Sequence, residues 1–232
     1  REGIDAAFVE LWDDIRAVIA EKRFDTAFIA LHGRFGEDGT VQRELEDACI
    51  PYTGSGPDAS RRALDKIAAK SVFVAHSIPT PQYLVFEGSV TRPADLAVLG
   101  YPLVVKPQFE GSSIGLGVVR SPGELDPALD NALRYDGTLL VEEFIDGREL
   151  TVGILRDEPL PVVEIVPKER VYDYEAKYTD PGTAYRAPAP LDKKTASRAQ
   201  ELALRAHQCL GCRSFSRVDM LLDASGELFV LE

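Results

Sequence analysis

The chain has 232 residues, of which 45% are hydrophobic and 28% charged, enough for one large domain or for two to three small ones. Its formal net charge of −12, without a cluster of lysines and arginines, excludes the basic surface that binds a nucleic-acid backbone. No apolar run approaches the roughly 20 residues of a membrane span, and no signal-peptide pattern is present. We therefore expect a cytoplasmic protein that binds neither membranes nor nucleic acids. Because it begins with Arg1, we also expect it to be an interior piece of a longer chain.

The first part of the chain alternates between helical and strand-like patterns. Apolar residues at helical spacing predict an amphipathic helix over residues 3–22, and the run AFIAL predicts a buried parallel strand over 27–31. A loop with several glycines, residues 32–39, then precedes a second helical pattern. This alternation predicts a partial α/β domain over residues 1–56, which the turn-rich segment PYTGSGP ends.

The middle of the chain predicts an α+β unit, residues 57–144, built on hairpins. Its predicted elements are a helix over 59–76, β-like runs over 83–86, 103–106, 116–120 and 139–144, and a helix over 122–135. The loop KPQFEGSSIG separates the second β-like run from the third. A glycine loop that binds phosphate usually leads into a helix N-terminus, whereas a strand follows here. Gly111–Gly115 is therefore predicted to be the tip of a hairpin that can close over a ligand.

The last unit, residues 145–232, begins with two predicted strands over 149–155 and 161–166. A polar stretch over 168–190 and a long helix over 192–210 follow. We expect the polar stretch to be mobile when no ligand is bound.

A final hairpin brings three charged residues together. Asp223–Gly226 is predicted to be a tight turn, and if its middle two residues form the turn, residue 217 faces 232 and residue 219 faces 230. Arg217, Asp219 and Glu232 then share one face, with the Cβ atoms of the two carboxylates roughly 7–8 Å apart. Such a pair can bind Mg²⁺ that also contacts substrate phosphates, and the arginine can stabilise developing negative charge. The alternative is a solvated strand face with an incidental ion pair.

Other residues suit a nucleotide. Lys106, at the end of a strand, can supply a charge to a phosphate, and Ser112 and Ser113 can supply neutral donors. The run LLVEEFI places two carboxylates at the end of an apolar strand, where a carboxylate and backbone groups could bind the edge of an adenine. Glu149 could bind ribose hydroxyls. Taken singly, each feature also fits an ordinary hairpin or surface glutamates.

Together and in order, these motifs resemble the D-alanine-D-alanine ligases of the ATP-grasp superfamily, from His32 to Glu232. The matching stretches are LHGRFGEDGTVQ, PYTGSG, ALDK, VVKPQFEGSSIG, VEEFIDGRELTVG, YDYEAKY, CRSFSRVDM and LFVLE. YDYEAKY and HGRFGEDG are specific to this family, while KP-x3-GSS and the RVD hairpin are shared more widely among ATP-grasp enzymes. The resemblance implies an α/β fold with α+β subdomains, namely an ATP-grasp fold with a partial Rossmann-like N-terminal domain. In that fold the nucleotide lies between two subdomains under a flap.

The resemblance also implies a set of nucleotide contacts. Two lysines would contact the ATP phosphates, two serines would close over them, and a third lysine would reach the γ-phosphate. A carboxylate with two backbone neighbours would bind the adenine, and another carboxylate the ribose. The two lysines at the phosphates are Lys66 and Lys106, the serines are Ser112 and Ser113, and the lysine at the γ-phosphate is Lys177. Glu142, with backbone groups of Glu143 and Ile145, would bind the adenine, and Glu149 would bind the ribose.

The implied reaction has two steps. The carboxylate of the first D-alanine attacks the γ-phosphate of ATP to give an acyl phosphate, and the amine of the second D-alanine then displaces phosphate. Asp219 and Glu232 match carboxylates that bridge Mg²⁺ or Mn²⁺, and Arg217 matches the arginine that holds the carbonyl oxygen as it becomes tetrahedral. These lysines, the arginine and the two carboxylates include no nucleophile, so they suit catalysis by positioning and charge neutralisation.

Two further residues match the family's amino-acid sites. Tyr178 matches a residue that covers the substrate from a mobile loop, linked to Ser112, and His32 a histidine near the second amino-acid site. In the family, a tyrosine at this position accompanies a D-alanine acceptor, so the expected product is the dipeptide of peptidoglycan precursors. The alternatives are a ligase for D-serine or D-lactate and an ATP-binding protein of this fold without ligase activity. The resemblance also implies a homodimer that forms through the N-terminal region.

The sequence departs from the family pattern at both ends. The family's N-terminal strand and the glutamate that holds the first D-alanine would precede Arg1, and an asparagine metal ligand would follow Glu232. Phe215 and Ser216 replace the residues expected before the R-x-D motif. We therefore expect the activity to belong to a longer parent chain.

Overall fold

The computed structural model describes residues 3, 5–10, 15–21, 23–87, 94–166 and 183–232. Two predicted site residues, Lys177 and Tyr178, lie outside these residues, as does most of the polar stretch predicted to be mobile. No helix in the described ranges is long and apolar enough to cross a membrane.

The N-terminal part is less regular than its sequence predicts. It contains the helices α1 (Ile15–Glu21) and α2 (Thr40–Asp47), which pack around Val41, Leu45 and Ile50. The predicted helix over 3–22 is wrong for residues 5–10, which form no helix, and Phe8 in that segment is 87% exposed. A short helix gains most of its stability from packing, and Phe8 has no such cover.

The predicted buried strand over 27–31 is also wrong. This segment makes only a single parallel bridge, between Ala27 and Tyr52, with hydrogen bonds of 2.8 Å to Pro51 O and 3.1 Å from Thr53 N. A parallel strand is buried when neighbours cover both of its edges and both of its faces. In the described residues only one neighbour is present, and Phe28 is 78% exposed.

The middle of the chain forms two helices followed by an antiparallel sheet. The predicted helix over 59–76 is split into α3 (Pro57–Leu64) and α4 (Lys66–Ala75) by Asp65, whose backbone is extended. Its carboxylate accepts from Ile67 N at 3.1 Å and Ala68 N at 3.0 Å. The break therefore follows from the preference of aspartate for the N-cap position.

The first sheet has the strand order β1-β4-β2-β3. Its strands are β1 (Tyr83–Glu87), β2 (Leu103–Pro107), β3 (Gly117–Val119) and β4 (Thr138–Glu143). A 3₁₀ helix over Ala94–Leu99 and α5 (Pro122–Ala132) complete the unit, and α5 covers the face lined by Leu103, Val105, Leu139 and Val141. Strands β2 and β3 pair as an antiparallel hairpin, which confirms the predicted position of the glycine-serine loop at its tip.

The second sheet has the order β10-β9-β5-β7-β8, with β6 paired to β5. Its strands are β5 (Gly147–Leu155), β6 (Glu158–Pro159), β7 (Val163–Val166), β8 (Ala184–Arg186), β9 (Phe215–Asp223) and β10 (Leu228–Val230). Helix α6 (Lys193–Leu210) packs on it through Ala199, Ala203 and Ala206. Helix α4 joins the same core through Ala69 and Phe73, and the backbone N–H of its first residue, Lys66, donates to Gln108 O in the loop after β2.

Substitution of Gly147, the first residue of β5, would test the packing of β5 against β9. A Cβ on Gly147 would lie 2.5 Å from the Leu222 carbonyl oxygen, a backbone atom that cannot move without disturbing β9. Gly147→Ala should therefore lower the free energy of unfolding by about 1–3 kcal/mol, as overpacking does. Urea unfolding followed by circular dichroism would measure the loss.

Gly137→Ala is the matched control, because a Cβ there meets nothing within 4 Å. It should change stability by less than about 0.5 kcal/mol. Equal stability of the two variants would mean that β5 and β9 are not packed as described.

Candidate active site

A cavity of about 400 Å³ lies between the two sheets. Its volume is in the range of small-molecule sites. Ten of the residues predicted to bind nucleotide or metal line it: Lys66, Lys106, Ser112, Ser113, Glu142, Glu143, Ile145, Glu149, Asp219 and Glu232. The structure therefore brings together residues that are up to 166 positions apart in the sequence.

Two predicted residues in the described ranges do not line the cavity. Arg217 pairs with Asp219, which does line it, whereas His32 is exposed at the start of the loop before α2. That loop contacts the cavity's edge through Arg34, whose Nη2 is 2.7 Å from Glu110 Oε1. The role of His32 stays a prediction.

The cavity has apolar walls contributed by both sheets. Val104, Val118 and Leu140 line it from the first sheet, and Leu221 and Leu231 from the second. In the first sheet, alternation along β2 and β4 points Leu103, Val105, Leu139 and Val141 to the core and their neighbours to the cavity. Apolar walls with a few polar groups suit a planar ring such as a nucleobase.

Glu142 is the most buried acid of the cavity, with 1% of its surface exposed. Its Oε1 lies 2.5 Å from Lys70 Nζ, and its Oε2 contacts Lys106 Nζ. Burial by itself raises the pKa of this carboxyl, but Lys106 and Lys70 together hold the pKa below its ordinary value. Glu142 is thus ionised and lies between two ammonium groups.

Lys70 was not predicted from the sequence. It lies one turn after Lys66 on α4, in the otherwise apolar run KIAAKSVFVA, and none of its side chain is exposed. A charged residue in an apolar helical run is a signal of a buried ion pair, and that signal was available. Burial lowers the pKa of Lys70 to about 8, against the opposing effect of Glu142.

Lys66 is the first residue of α4, where the Asp65 cap begins the helix. Its Nζ donates to the Glu110 carbonyl, and its backbone N–H donates to Gln108 O at 3.2 Å. Burial lowers the pKa of Lys66, Glu232 opposes that shift, and Lys106 adds to it. Lys66 and Lys106 are thus close to one another and both line the cavity, where they offer two ammonium groups to an anionic ligand.

The tip of the β2–β3 hairpin has a strained backbone. Ser112 and Ser113 both have positive φ angles, 52° and 59°, which is uncommon for residues other than glycine. Local hydrogen bonds from Ile114 N to Gly111 O and from Leu116 N to Ser113 O hold the turn. Strain of this kind is typical of segments that contact ligands, so the conformation agrees with the predicted flap.

The register of the final hairpin differs from the prediction by one residue. Val230 pairs with Met220, so Asp219 faces Leu231 and not residue 230. The cause is the turn, because Asp223 and Glu227 close a three-residue loop in which Gly226 has a φ of 87°. Three-residue hairpin loops with a left-handed third residue are common, and the predicted two-residue loop is wrong.

A β-bulge brings Glu232 back beside Asp219. Both Leu231 N, at 2.8 Å, and Glu232 N, at 3.5 Å, point to the Asp219 carbonyl, and Asp219 N donates to Glu232 O at 2.8 Å. Two residues thus lie opposite one, and such bulges redirect side chains at sites. Both Leu231 and Glu232 line the cavity as a result. The predicted proximity of the two carboxylates is confirmed, although by a different register.

Asp219 is held by three hydrogen bonds. Arg217 donates from Nε to Oδ1 at 2.9 Å and from Nη2 to Oδ2 at 2.8 Å, and Thr151 Oγ1 donates to Oδ1 at 2.6 Å. Thr151 is a second residue missed from the sequence, although it alternates with Glu149 along β5. Burial raises the pKa of Asp219, Arg217 opposes that shift, and Glu232 adds to it.

Two carboxylates can hold a divalent cation here. No three histidine, cysteine, aspartate or glutamate residues form a ligand cluster in the ranges that the structure describes. Mg²⁺, however, is commonly bound by one or two carboxylates together with substrate phosphates. The raised pKa of Asp219 beside Glu232 also fits, because a cation would relieve the repulsion between the two acids.

The cavity, its strained hairpin and its paired lysines and carboxylates define an enzyme of the nucleotide-binding α/β class. Two family models match the sequence, described as D-ala D-ala ligase N-terminus over residues 8–55 and D-ala D-ala ligase C-terminus over residues 72–232. The chain belongs to the D-alanine–D-alanine ligase family. The expected fold class, ATP-grasp with α+β subdomains, is thereby confirmed.

Individual relatives agree. The chain is 46% identical to the D-alanine–D-alanine ligase of Citrifermentans bemidjiense, over 100% of this chain and 75% of that protein. It superimposes on the D-alanine–D-alanine ligase of Bacillus anthracis with a TM-score of 0.86 at 34% identity, over 96% of this chain and 73% of that one. It is also similar to the VanG D-Ala:D-Ser ligase of Enterococcus faecalis, with a TM-score of 0.79 at 35% identity, over 90% and 62%.

The hydroxyl of Thr151 provides a test of the carboxylate site. Thr151→Val removes the hydrogen bond that orients Asp219 but keeps the shape of the side chain. Because partners of this kind orient metal ligands, Mn²⁺ affinity should fall roughly 10–100-fold. Electron paramagnetic resonance of free Mn²⁺, titrated in the presence of nucleotide, would measure it.

Thr151→Ser retains the hydroxyl and should bind Mn²⁺ as the unmodified protein does. If the valine and serine variants bound Mn²⁺ equally well, Thr151 would have no part in the site.

Proposed function

We propose that this protein is an ADP-forming ligase that joins two D-alanines through a D-alanyl phosphate intermediate, for peptidoglycan precursor synthesis. The observation that carries the proposal is the cavity between the sheets, which gathers ten residues that the family resemblance assigns to nucleotide and metal. The similarity of the whole chain to D-alanine–D-alanine ligases, one of which was solved in complex with ATP, supports the same conclusion.

In this proposal the nucleotide lies with its base between the apolar walls. Glu142, with backbone groups of Glu143 and Ile145, binds the adenine edge, and Glu149 binds the ribose. Val104 and Leu231 then enclose the two faces of the ring from opposite sheets. Burial of an aromatic ring between apolar side chains gives affinity, while the polar edge gives orientation.

The phosphates of ATP occupy the end of the cavity lined by lysines. Lys66 and Lys106 neutralise their charge, and Ser112 and Ser113 close over them from the hairpin tip. Lys177, outside the described residues, reaches the γ-phosphate in this proposal. Lys106 contacts Glu142 in the structure, so binding of the nucleotide requires Lys106 to share its charge with a phosphate.

The chemistry needs no protein nucleophile. The carboxylate of the first D-alanine attacks the γ-phosphate, and ADP leaves; the amine of the second D-alanine then attacks the acyl carbon, loses a proton, and inorganic phosphate leaves. Arg217 stabilises the oxygen of the tetrahedral intermediate. Because its guanidinium is bound to Asp219 in the structure, Arg217 is already oriented beside the acid that lies on the same strand, β9.

Asp219 and Glu232 would hold Mg²⁺ or Mn²⁺, which when bound neutralises charge on the transferring phosphoryl group. Arg217 and Thr151 orient Asp219 for this purpose. Tyr178 would cover the amino acids and His32 would lie near the second of them. The division into units over residues 1–56, 57–144 and 145–232, the homodimer and a cytoplasmic location stay predictions.

A second candidate is a ligase with D-serine as acceptor. It is favoured by the similarity to the VanG D-Ala:D-Ser ligase, which at 35% identity is as high as that to the Bacillus anthracis enzyme. Tyr178, on which the choice of D-alanine rests, is outside the described residues. A D-lactate acceptor and an ATP-binding protein without ligase activity are the remaining alternatives.

Release of phosphate by the full-length protein would test the proposal. With ATP, Mg²⁺ and D-alanine, release should be rapid, and with L-alanine it should be absent. D-Serine or D-lactate, added beside a low concentration of D-alanine, should not accelerate it. Asp219→Asn should lower kcat at least about 100-fold, since it removes a ligand charge at the reacting phosphate.

Glu227→Gln is the matched control. Glu227 lies in the same hairpin, but its side chain is 59% exposed and pairs with Arg198 outside the cavity. Its kcat should stay within about twofold of the unmodified value. Faster release with D-serine than with D-alanine would support the second candidate, and ATP binding without release would reject both.

A further inference from the structure

Lys70 is a buried cation without a role in the reaction described above. Its ammonium group lies 2.5 Å from Glu142 Oε1, 2.6 Å from Thr80 Oγ1 and 3.1 Å from Pro81 O. The ring of Tyr83 lies beside it, with its centroid 5.2 Å from Nζ. Thr80 and Pro81 accept hydrogen bonds from this ammonium group, and the Glu142 carboxylate forms an ion pair with it. Lys70 is thus held in one place.

One acceptor of Lys70, Thr80, is itself anchored to the second sheet. Thr80 Oγ1 donates to the Val230 carbonyl at 2.7 Å, and Val230 N donates to Pro79 O at 2.8 Å. Val230 is the last residue of β10, immediately before the bulge that carries Glu232. The position of Lys70 is therefore fixed by the same strand that positions the carboxylate pair.

The two lysines that contact Glu142 differ in access to the cavity. Lys106 lines the cavity and is 14% exposed, whereas Lys70 is fully buried behind Glu142. Of these two lysines, only Lys106 can reach a bound phosphate. When it does, Lys70 is the cation that stays with Glu142.

The protonation state of Glu142 determines which base its edge can accept. An ionised carboxylate only accepts hydrogen bonds, so it suits the amino group of adenine and repels the 6-carbonyl oxygen of hypoxanthine. A carboxylate as buried as Glu142 would take up a proton if it had no cation beside it. A protonated Glu142 could donate to the 6-carbonyl, and the distinction between the two bases would be lost.

We propose that Lys70 is a positioning residue that sets nucleobase specificity, by keeping Glu142 an acceptor-only group when Lys106 turns to the phosphates. The cavity then selects a purine with a 6-amino group over one with a 6-carbonyl. This inference rests on the proposed function for one point, the placement of the base against Glu142.

The test compares ATP with ITP, which carries a 6-carbonyl group in place of the 6-amino group of adenine. Isothermal titration calorimetry of the full-length protein measures the affinity for each nucleotide. The unmodified protein should prefer ATP, and Lys70→Met should reduce the ratio of affinities roughly 10–100-fold, the value of a hydrogen bond to a charged group. In turnover with D-alanine, the loss should appear in KM for ATP, with kcat changed less than about threefold.

Thr80→Val is the matched control, because it removes one acceptor of Lys70 but keeps the ion pair with Glu142. It should retain the preference for ATP. A folded Lys70→Met variant with the unmodified ATP to ITP ratio would overturn the proposal, since a merely structural lysine would not affect the choice of base.

A second comparison decides the matter if Lys70→Met does not fold. Glu142→Gln should lose the preference, and Lys70→Met combined with Glu142→Gln should have the same ratio as Glu142→Gln alone, because Lys70 acts only through Glu142. A different ratio in the double variant would contradict the proposal. Absence of ligase turnover, with the ATP preference and its loss intact, would reject the proposed function and leave this inference supported.

Discussion

The burial of one ionised carboxylate constrains the whole nucleotide end of the molecule. Glu142 is almost completely removed from water, and an unpaired charge in that position would cost several kcal/mol. Two lysines offset this cost, one from α4 and one from β2, so helix and sheet must meet at this point. Because Lys70 is also bound to the segment that pairs with β10, the ion pair connects both sheets.

Helix α4 depends on the same arrangement. Asp65 ends α3 and caps α4, and its carboxylate also accepts from Gln108 in the loop after β2, at 2.9 Å. One residue therefore fixes where the helix starts, and thereby puts Lys66 at the cavity and Lys70 one turn deeper. The apolar side of α4 joins the core of the second sheet through Phe73, while Lys70 forms its ion pair with Glu142 of the first sheet. Helix α4 therefore links the two sheets that line the cavity.

Sequence patterns gave most of the site but not its local geometry. Strand ends, glycines and charged residues predicted the hairpin flap and cavity residues such as Lys106 and Asp219, because motif chemistry is local. Other cavity residues, such as Lys66 and Ile145, were implied only by the family resemblance. The register of the last hairpin could not be predicted, because the same sequence is compatible with a two-residue and with a three-residue loop. The bulge could not be predicted either, because it depends on the pairing of Asp219 with both Leu231 and Glu232. The predicted helix was wrong over residues 5–10, and the predicted strand was wrong over 27–31. Periodicity indicates which face of an element could be buried, but it does not show whether a neighbour covers that face.

The β-bulge and the Arg217–Asp219 ion pair explain how one short hairpin can place two acids and an arginine close together. A regular ladder would point Glu232 away from Asp219, and the bulge reverses that at the cost of one irregular residue. Asp219 is then repelled by Glu232 and attracted by Arg217, which raises and lowers its pKa respectively. A cation held by the two acids would take over the neutralising role of Arg217. The guanidinium, 65% exposed, could then turn towards a developing oxyanion while the backbone of Arg217 stays in β9.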